Sequence, residues 1–304
     1  MSAFVFLKKT AKLVHRLDSS NTSRMKTKAE ALAAWLVQQH REKAALVAMP
    51  EAIAARSSAE AIMTQDAFVR LKAVDCGEPV GWKIALATPV MQAMVGLDAP
   101  IAGRLHAKQV IESPAKTEYS GYGRLLVEFE IAVRLGADLK PPRGRGTSRH
   151  DRYSVLEAVD ALAPAMEIAD DRMADYEQMV HHGLQLLADN AWNEGAIIGR
   201  WRRDWRSLGS ANEGLGSLSG IAKINDEIVG SGFGRDLMGH PLEALAWLAN
   251  EANDRGRYLC KGEIAILGSL VRSKFPKLGD RLQFQLEGFE PIESGRIFTP
   301  SDVL

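Results

Sequence analysis

Glu128 and Glu130 stand one residue apart in VEFEIAV, residues 127–133, and Glu167 interrupts a second apolar run, AMEIAD, at 165–170. Val127, Phe129, Ile131 and Val133 alternate with the two glutamates, so a strand here puts both carboxylates on one face. Like charges that close repel each other and resist burial. Such a face is either simply wet, or something positive sits on it. Three carboxylates on two strands offer a hard-oxygen site for Mg2+ or Mn2+, whose charge would resolve the repulsion. By spacing alone both readings stay open.

Other chemistries lack residues in workable patterns. No Gly-x-Ser-x-Gly elbow occurs. Cys76 and Cys260 lie far apart and match no metal or redox spacing, which fits a reducing cytoplasm. His181 and His182 are adjacent and would face apart on a helix, as a surface or interface pair. Glycines 214, 216 and 220, and glycines 230, 232 and 234, superficially resemble a dinucleotide loop. Neither set follows an apolar strand and opens a helix, so both are expected as turns. The segment PPRGRG, residues 141–146, is expected as a basic flexible loop, and GRWRRDWR, residues 199–206, joins arginines to two tryptophans. Lys+Arg and Asp+Glu both total 38, however, so the chain lacks the basic excess of a nucleic-acid or membrane-surface binder. With no run of about 18 apolar residues, no membrane helix is expected.

Positioning these residues falls to a mixed set of elements. Helical periodicity covers residues 27–49 up to Pro50, and a second helix is expected over 58–74. Strand-like runs fall at 80–86, 125–135, 164–169, 195–199, 221–229, 263–268 and 281–287. A helix capped by Ser154 and Glu157 is expected to run until Pro164 stops it, and His240-Pro241 opens another, with Gly256 beyond its end. Strands without regular helical crossovers predict the α+β class. The 304 residues, 46% of them apolar, divide into a poorly structured extension (1–24), a helical N-terminal domain (25–79) and a β-rich domain (80–304).

Six segments, GWKIALATPVMQAMVGLDAPIAG, VEFEIAVRLGADL, PAMEIADDR, LADNAWNEGAIIG, GHPLEALAWLAN and GEIAILGSL, stand in this order between about residues 27 and 298. Together they resemble the 2-keto-4-pentenoate hydratase branch of the fumarylacetoacetate hydrolase superfamily, which also holds 2-oxohept-3-enedioate hydratases and 4-oxalocrotonate decarboxylases. The resemblance implies a mixed β-sandwich roll behind a smaller helical domain, in a homo-oligomer. It also implies Mg2+ or Mn2+ on Glu128, Glu130 and Glu167, a catalytic Lys83 in the GWK motif, and Asp189 and Asn190 as further catalytic or substrate-contacting groups. Asp170 and Arg172 would steady the Glu167 strand, as an ion pair or a cap. In such a site a 2-oxo acid chelates the ion, which stabilises an enolate as water adds or CO2 leaves.

Departures from the family pattern bear on the reaction. Ile101 stands where an acidic residue is usual, Trp192 where a serine is, Leu267 in a Thr-Gly position, Leu71 in a Gln position, and Ala85 in place of Gly. These make the pocket more apolar and remove a proton donor or water activator. The expected activity is a cytoplasmic, metal-dependent hydro-lyase acting on a small 2-oxo acid. Decarboxylation, acylpyruvate hydrolysis through His106, and binding without turnover are the alternatives.

Overall fold

A computed structural model describes residues 23–142, 149–295 and 297–299. Most of the expected N-terminal extension, residues 1–22, and most of the basic loop at 141–146 lie outside the described residues. The first helix, α1, spans residues 23–41 and so already includes residues 23 and 24. It stops well short of the expected Met49. Lys43 takes a left-handed conformation (φ 51°), and Leu46 N–H then donates to the Arg172 carbonyl at 2.7 Å, a partner no helix would allow. Helix α2 (Ser58–Cys76) is capped by the Ser57 side chain and ended by Gly77 at φ 81°.

The rest of the chain alternates strands with short helices. In order come β1 (Pro79–Ala85), α3 (Pro89–Met94), β2 (Ile101–His106), β3 (Val110–Glu112), β4 (Leu125–Leu135), α4 (Arg152–Leu156) and β5 (Val159–Asp170). They are followed by α5 (Gly183–Ala188), β6 (Asn193–Ile198), β7 (Ser219–Ile224), β8 (Glu227–Phe233), α6 (Pro241–Asp254), β9 (Ile264–Lys274), β10 (Leu282–Leu286) and β11 (Ile292–Ser294). Seven strands form a mixed sheet in the order β2-β1-β9-β4-β5-β6-β3, with β1–β9 and β3–β6 parallel. The other four form an antiparallel sheet, β11-β10-β7-β8. The α+β class expected from the sequence is the class observed.

The large sheet curls until β2 approaches β6. Its concave face is filled by Ala132, Ala163, Ala165 and Ala196 with Leu105, Ile198 and Ile266. Small side chains are what a tightly rolled interior can hold. The convex face carries Val127, Phe129, Ile131 and Val133 into a core shared with α6 and the second sheet, where the Phe129 and Phe284 rings lie 5.6 Å apart. Both faces of β4 are therefore buried, and the alternation that reads as a possible wet face is the inside of the roll. A second apolar cluster joins Leu32 and Leu36 of α1 and Phe68 of α2 to Leu126, Ala169 and Leu186.

Three local expectations are corrected. The helix predicted from Ser154 to Pro164 is only α4, capped by Asp151 with Ser154 reciprocating, and the chain is already in β5 at Val159. Pro164 sits inside that strand, its carbonyl accepting from Gly199 N–H at 2.9 Å. The single strand predicted over 221–229 is a hairpin that turns at Asn225 and Asp226, both at positive φ. Finally, Gly230 and Gly232 are strand rather than turn residues: a Cβ on Gly232 would lie 1.8 Å from the Leu270 carbonyl oxygen, so bare backbone lets β8 cross β9. Among the described residues no helix is long and apolar enough to cross a membrane.

Candidate metal centre and its chamber

Register brings the three glutamates together. Glu128 faces Glu167 across the β4–β5 ladder, and Glu130 is the next residue along the same face. One oxygen from each lies within 4.8 Å of the others. Glu130 and Glu167 are fully buried, while Glu128 is half-buried and lines a cavity. The β4–β9 pairing slips register repeatedly between Val127 and Ala132. These bulges, with Gly268 at φ 102°, turn the Gly268 N–H onto Glu130 Oε2 at 2.7 Å. Ser273 Oγ donates to Glu128 Oε1 at 2.5 Å, and Asn193 Nδ2 donates to Glu167 Oε1 at 2.9 Å. Glu130 Oε1 and Glu167 Oε2 have no partner among the described residues.

Lys83 reaches this cluster from β1, its Nζ 2.9 Å from Glu167 Oε1 and 3.4 Å from the Ala191 carbonyl. Gly103 on β2 makes room for its stem: a Cβ there would sit 3.0 Å from Lys83 Cγ and 2.9 Å from Asn190 Oδ1. Burial pushes the Glu128 and Glu130 carboxyls up from their ordinary values, and Glu167 pushes them further; Glu130 ends well above. Burial works against the Lys83 charge, but Glu167, Glu128 and Glu130 outweigh it and raise its pKa. With all groups ionised, three carboxylates and one ammonium leave a charge of −2, which one divalent cation cancels. Buried oxygens without partners are costly, and a cation satisfies two of them at once. The donor set, all oxygen and all anionic, is that of a hard cation.

Above the glutamates lies a cavity of ≈ 80 Å³, counted as space open to the centre of a water-sized sphere. Since one water needs roughly 10–15 Å³ by that measure, it has room for several waters or one short acid. Lys83, Glu128, Glu167 and Ser273 line one side. The rest is mostly apolar, chiefly Leu86, Met91, Val95, Leu126, Leu186 and Trp192, with Tyr176, whose hydroxyl donates to Asp171 Oδ2 at 3.0 Å, the polar exception. Trp192 arrives on an unusual turn: Asn190, Ala191 and Trp192 have φ 53°, 46° and 63°, three left-handed residues in succession. The Asn190 side chain fastens this turn to β2, accepting from Arg104 N–H at 2.7 Å and donating to the Arg104 carbonyl at 2.9 Å.

Asp189 does not line the cavity. It is buried behind the turn, where Arg172 and His40 Nε2 both pair with its carboxylate. His40 Nδ1 meets Glu194 at 2.6 Å, and Glu194 also takes Lys72 at 2.7 Å and Gln109 at 3.1 Å. This His40–Asp189–Arg172 and Lys72–Glu194 network has no signature in the sequence, because its members come from α1, α2, β6 and two loops. Asp170 caps the N–H groups of Gly123, Arg124 and Arg172 rather than pairing with the Arg172 guanidinium. Among the remaining residues singled out, His106 is buried, its ring on the Val69 carbonyl at 3.0 Å, and it does not line the cavity. Ile101 and Leu267 are buried in apolar clusters, Leu71 packs against one, and Ala85 lines the cavity wall. His181 is exposed and His182 half-buried against Gln185.

No family model matches the chain. It is 29% identical over 278 residues to 2-keto-4-pentenoate hydratase 1 of Dechloromonas aromatica, covering 90% of this chain and 98% of the relative. It is 32% identical over 223 residues to 2-hydroxyhexa-2,4-dienoate hydratase of Comamonas testosteroni, covering 73% of this chain and 79% of the relative. In fold it is similar to the 4-oxalocrotonate decarboxylase of Pseudomonas putida G7, solved with magnesium and adipate (TM-score 0.77, 24% identity, 88% of this chain and 97% of that one).

Proposed function

The chain belongs to the 2-keto-4-pentenoate hydratase family of the fumarylacetoacetate hydrolase superfamily, and we propose that Glu128, Glu130 and Glu167 hold Mg2+ or Mn2+ in a hydro-lyase acting on a short 2-oxo or 2-hydroxydienoic acid. One observation carries the reading: Glu130 Oε1 and Glu167 Oε2 are buried and unpartnered inside a three-carboxylate cluster. The magnesium complex of the similar decarboxylase supports the choice of ion. A divalent ion held there would supply Lewis acidity for negative charge developing on a 2-oxo group. Lys83, anchored on Glu167, is the single cation among the described residues lining the chamber. Its ammonium is placed to orient a substrate carboxylate and to move a proton at Nζ. Ser273 fixes Glu128, Asn190 and Asp189 act as positioning residues that hold the Ala191–Trp192 turn, and the apolar wall excludes bulk water.

Hydration leads over decarboxylation because the relatives that match over most of their length at 30% identity or more are hydratases. Acylpyruvate hydrolysis loses its candidate, since His106 is turned to Val69 and away from the chamber. The reading takes the arrangement to be a β-sandwich roll behind a helical N-terminal unit, in a cytoplasmic homo-oligomer whose size light scattering would give. Loss of the conjugated ultraviolet absorbance of 2-hydroxypenta-2,4-dienoate, with Mg2+ or Mn2+ present, tests the activity. No loss above background, with Glu128→Gln behaving as wild type, sinks it. A second reading, binding without turnover, is favoured by Ile101 and Trp192, which stand where the family pattern has an acid and a serine; Trp192 lines the chamber and Ile101 is buried in an apolar cluster. Thermal stabilisation by Mn2+ plus a 2-oxo acid, without absorbance loss, would select that reading.

A further inference from the structure

We propose that Tyr176 holds the water that adds to the substrate's tail, accepting a hydrogen bond from it while its own proton stays on Asp171. This rests on the hydratase reading above and assigns a residue to the one reactant that reading leaves unplaced. A 2-oxo acid with its head at the glutamates extends its tail toward the mouth of the chamber. Lys83 and Glu167 at the floor are buried, whereas Met94 and Tyr176 at the rim are 40% and 37% exposed. The water has to be held at that outer end. Among the described residues lining the chamber, the side chains that carry oxygen are Glu128, Glu167, Ser273 and Tyr176. The first three meet at the floor, where Ser273 is tied to Glu128 and Lys83 to Glu167. Trp192 offers only an N–H, and Ile101 is buried in an apolar cluster without lining the chamber. Tyr176 is the acceptor that remains.

Its surroundings fix both the oxygen and the direction of its proton. The hydroxyl donates to Asp171 Oδ2 at 3.0 Å. Asp171 is fully buried and accepts from Arg124 Nε at 2.7 Å, from Arg124 Nη2 and from the Met173 N–H at 3.1 Å. A phenol whose one proton is engaged has only lone pairs left to offer, and the carboxylate behind it makes that oxygen a stronger acceptor. The ring meets Phe275 edge-on with centroids 6.3 Å apart, and the Arg124 guanidinium lies 4.9 Å from the Phe275 ring. Burial and then Asp171 push the Tyr176 pKa up, so the group stays a neutral phenol. Hydration bonds the water oxygen to the tail carbon and breaks one water O–H bond. The C=C electron pair shifts toward the 2-oxo end, where C3 takes up a proton, and the freed proton leaves through the open mouth. Tyr176 is neither protonated nor ionised in this step; by holding one O–H it aims the water's lone pair at the carbon.

The test separates water addition from the chemistry at the 2-oxo end. Tyr176→Phe keeps the ring against Phe275 and removes only the oxygen, so its Tm is expected within about 3 °C of wild type. With Mg2+ present, kcat for hydration of 2-hydroxypenta-2,4-dienoate is expected to fall about 100-fold while KM stays within about 3-fold. Exchange of the C3 protons of 2-oxopentanoate in D2O, followed by proton NMR, uses no water at the tail. In the variant it is expected to stay within about 2-fold of wild type. A hydration kcat within about 3-fold of wild type overturns this inference and leaves the metal-centred reading standing. Loss of hydration and exchange together overturns it too, since Tyr176 then shapes the whole chamber, and so does wild-type protein that exchanges without hydrating. If wild-type protein does neither, the metal-centred reading falls and this inference falls with it.

Discussion

Deprotonating His40 removes the positive charge that lies between the buried Asp189 and the half-buried Glu194 carboxylates. Its Nε2 meets Asp189 at 2.5 Å and its Nδ1 meets Glu194 at 2.6 Å, and only the imidazolium can donate from both nitrogens. Burial pulls its pKa down, but Asp189 and then Glu194 outweigh burial and raise it from 6.5 to about 8. Lys72 and Arg172 face the same two carboxylates, so the cluster holds three cations and two anions below that pKa. Glu194, held down at about 2, stays ionised throughout. A rise from 6.5 to about 8 corresponds to ~2 kcal/mol of folding stability. Because the folded-state pKa is the higher one, that stability is complete below pH 6.5 and is lost as the pH rises through 8. Urea unfolding of metal-free protein at intervals from pH 6 to 9 should show the loss. His40→Gln should be less stable at pH 6 and flatter across the window by the same ~2 kcal/mol. Burial holds His106 and His240 below their ordinary values, so neither titrates upward in this range. Parallel wild-type and variant curves would refute the reasoning.

Other perturbations test separate parts of the structure. Glu130→Gln should leave metal-free stability within about 1 kcal/mol, since the Glu130 carboxyl is already pushed toward its neutral form, yet abolish the rise in Tm that Mn2+ gives the wild type. Gly103→Ala crowds Lys83 and Asn190 at 3.1 Å or less, so turnover of a 2-hydroxydienoate should fall roughly 10- to 100-fold with only a small change in Tm. Phe284→Ala empties the contact with Phe129 between the two sheets and should cost ~3–5 kcal/mol in denaturant unfolding.

Most strands were legible because their residues alternate or run apolar, and β10 is the clearest case, with Leu282, Phe284 and Leu286 buried and the glutamines between them half-exposed. The misread elements share a physical cause. Both faces of β5 are buried, so VDALAPAMEIAD lacks a period of two, and its alanines and a preceding cap read as helix. The N-terminal half of that strand was lost for this reason. β2, β3 and β11 were missed because they are short or, in β2, broken by Gly103 and Arg104. The glutamates could be read as a possible site because two local runs each carried an acid in an apolar setting. Their meeting depends on β4–β5 register, and the approach of Lys83 depends on the curl of the sheet; no short stretch encodes either. His40, Lys72 and Glu194 carried no signal at all, since each alone reads as an ordinary helix or strand charge.

Local rules are broken here in one place, and together. Like charges face each other across β4 and β5, the β4–β9 ladder slips register beside them, and Gly268 on β9 leaves the extended region. Three successive non-glycine residues take left-handed conformations at the far wall. The facing carboxylates and the left-handed non-glycine residues each cost stability, of order 1–3 kcal/mol for a strained residue; glycine at position 268 makes its departure free of that penalty. What supports them is rigid and remote: an alanine-filled roll too narrow to open, Asn190 tied at both ends to Arg104, and Asp189 gripped by Arg172 and His40. Strain that persists only because its surroundings over-determine it is the mark of a preorganised site. The turn carrying Trp192 and the carboxylates below it are thus held from opposite sides, and the His40 network steadies the chamber without touching what enters it.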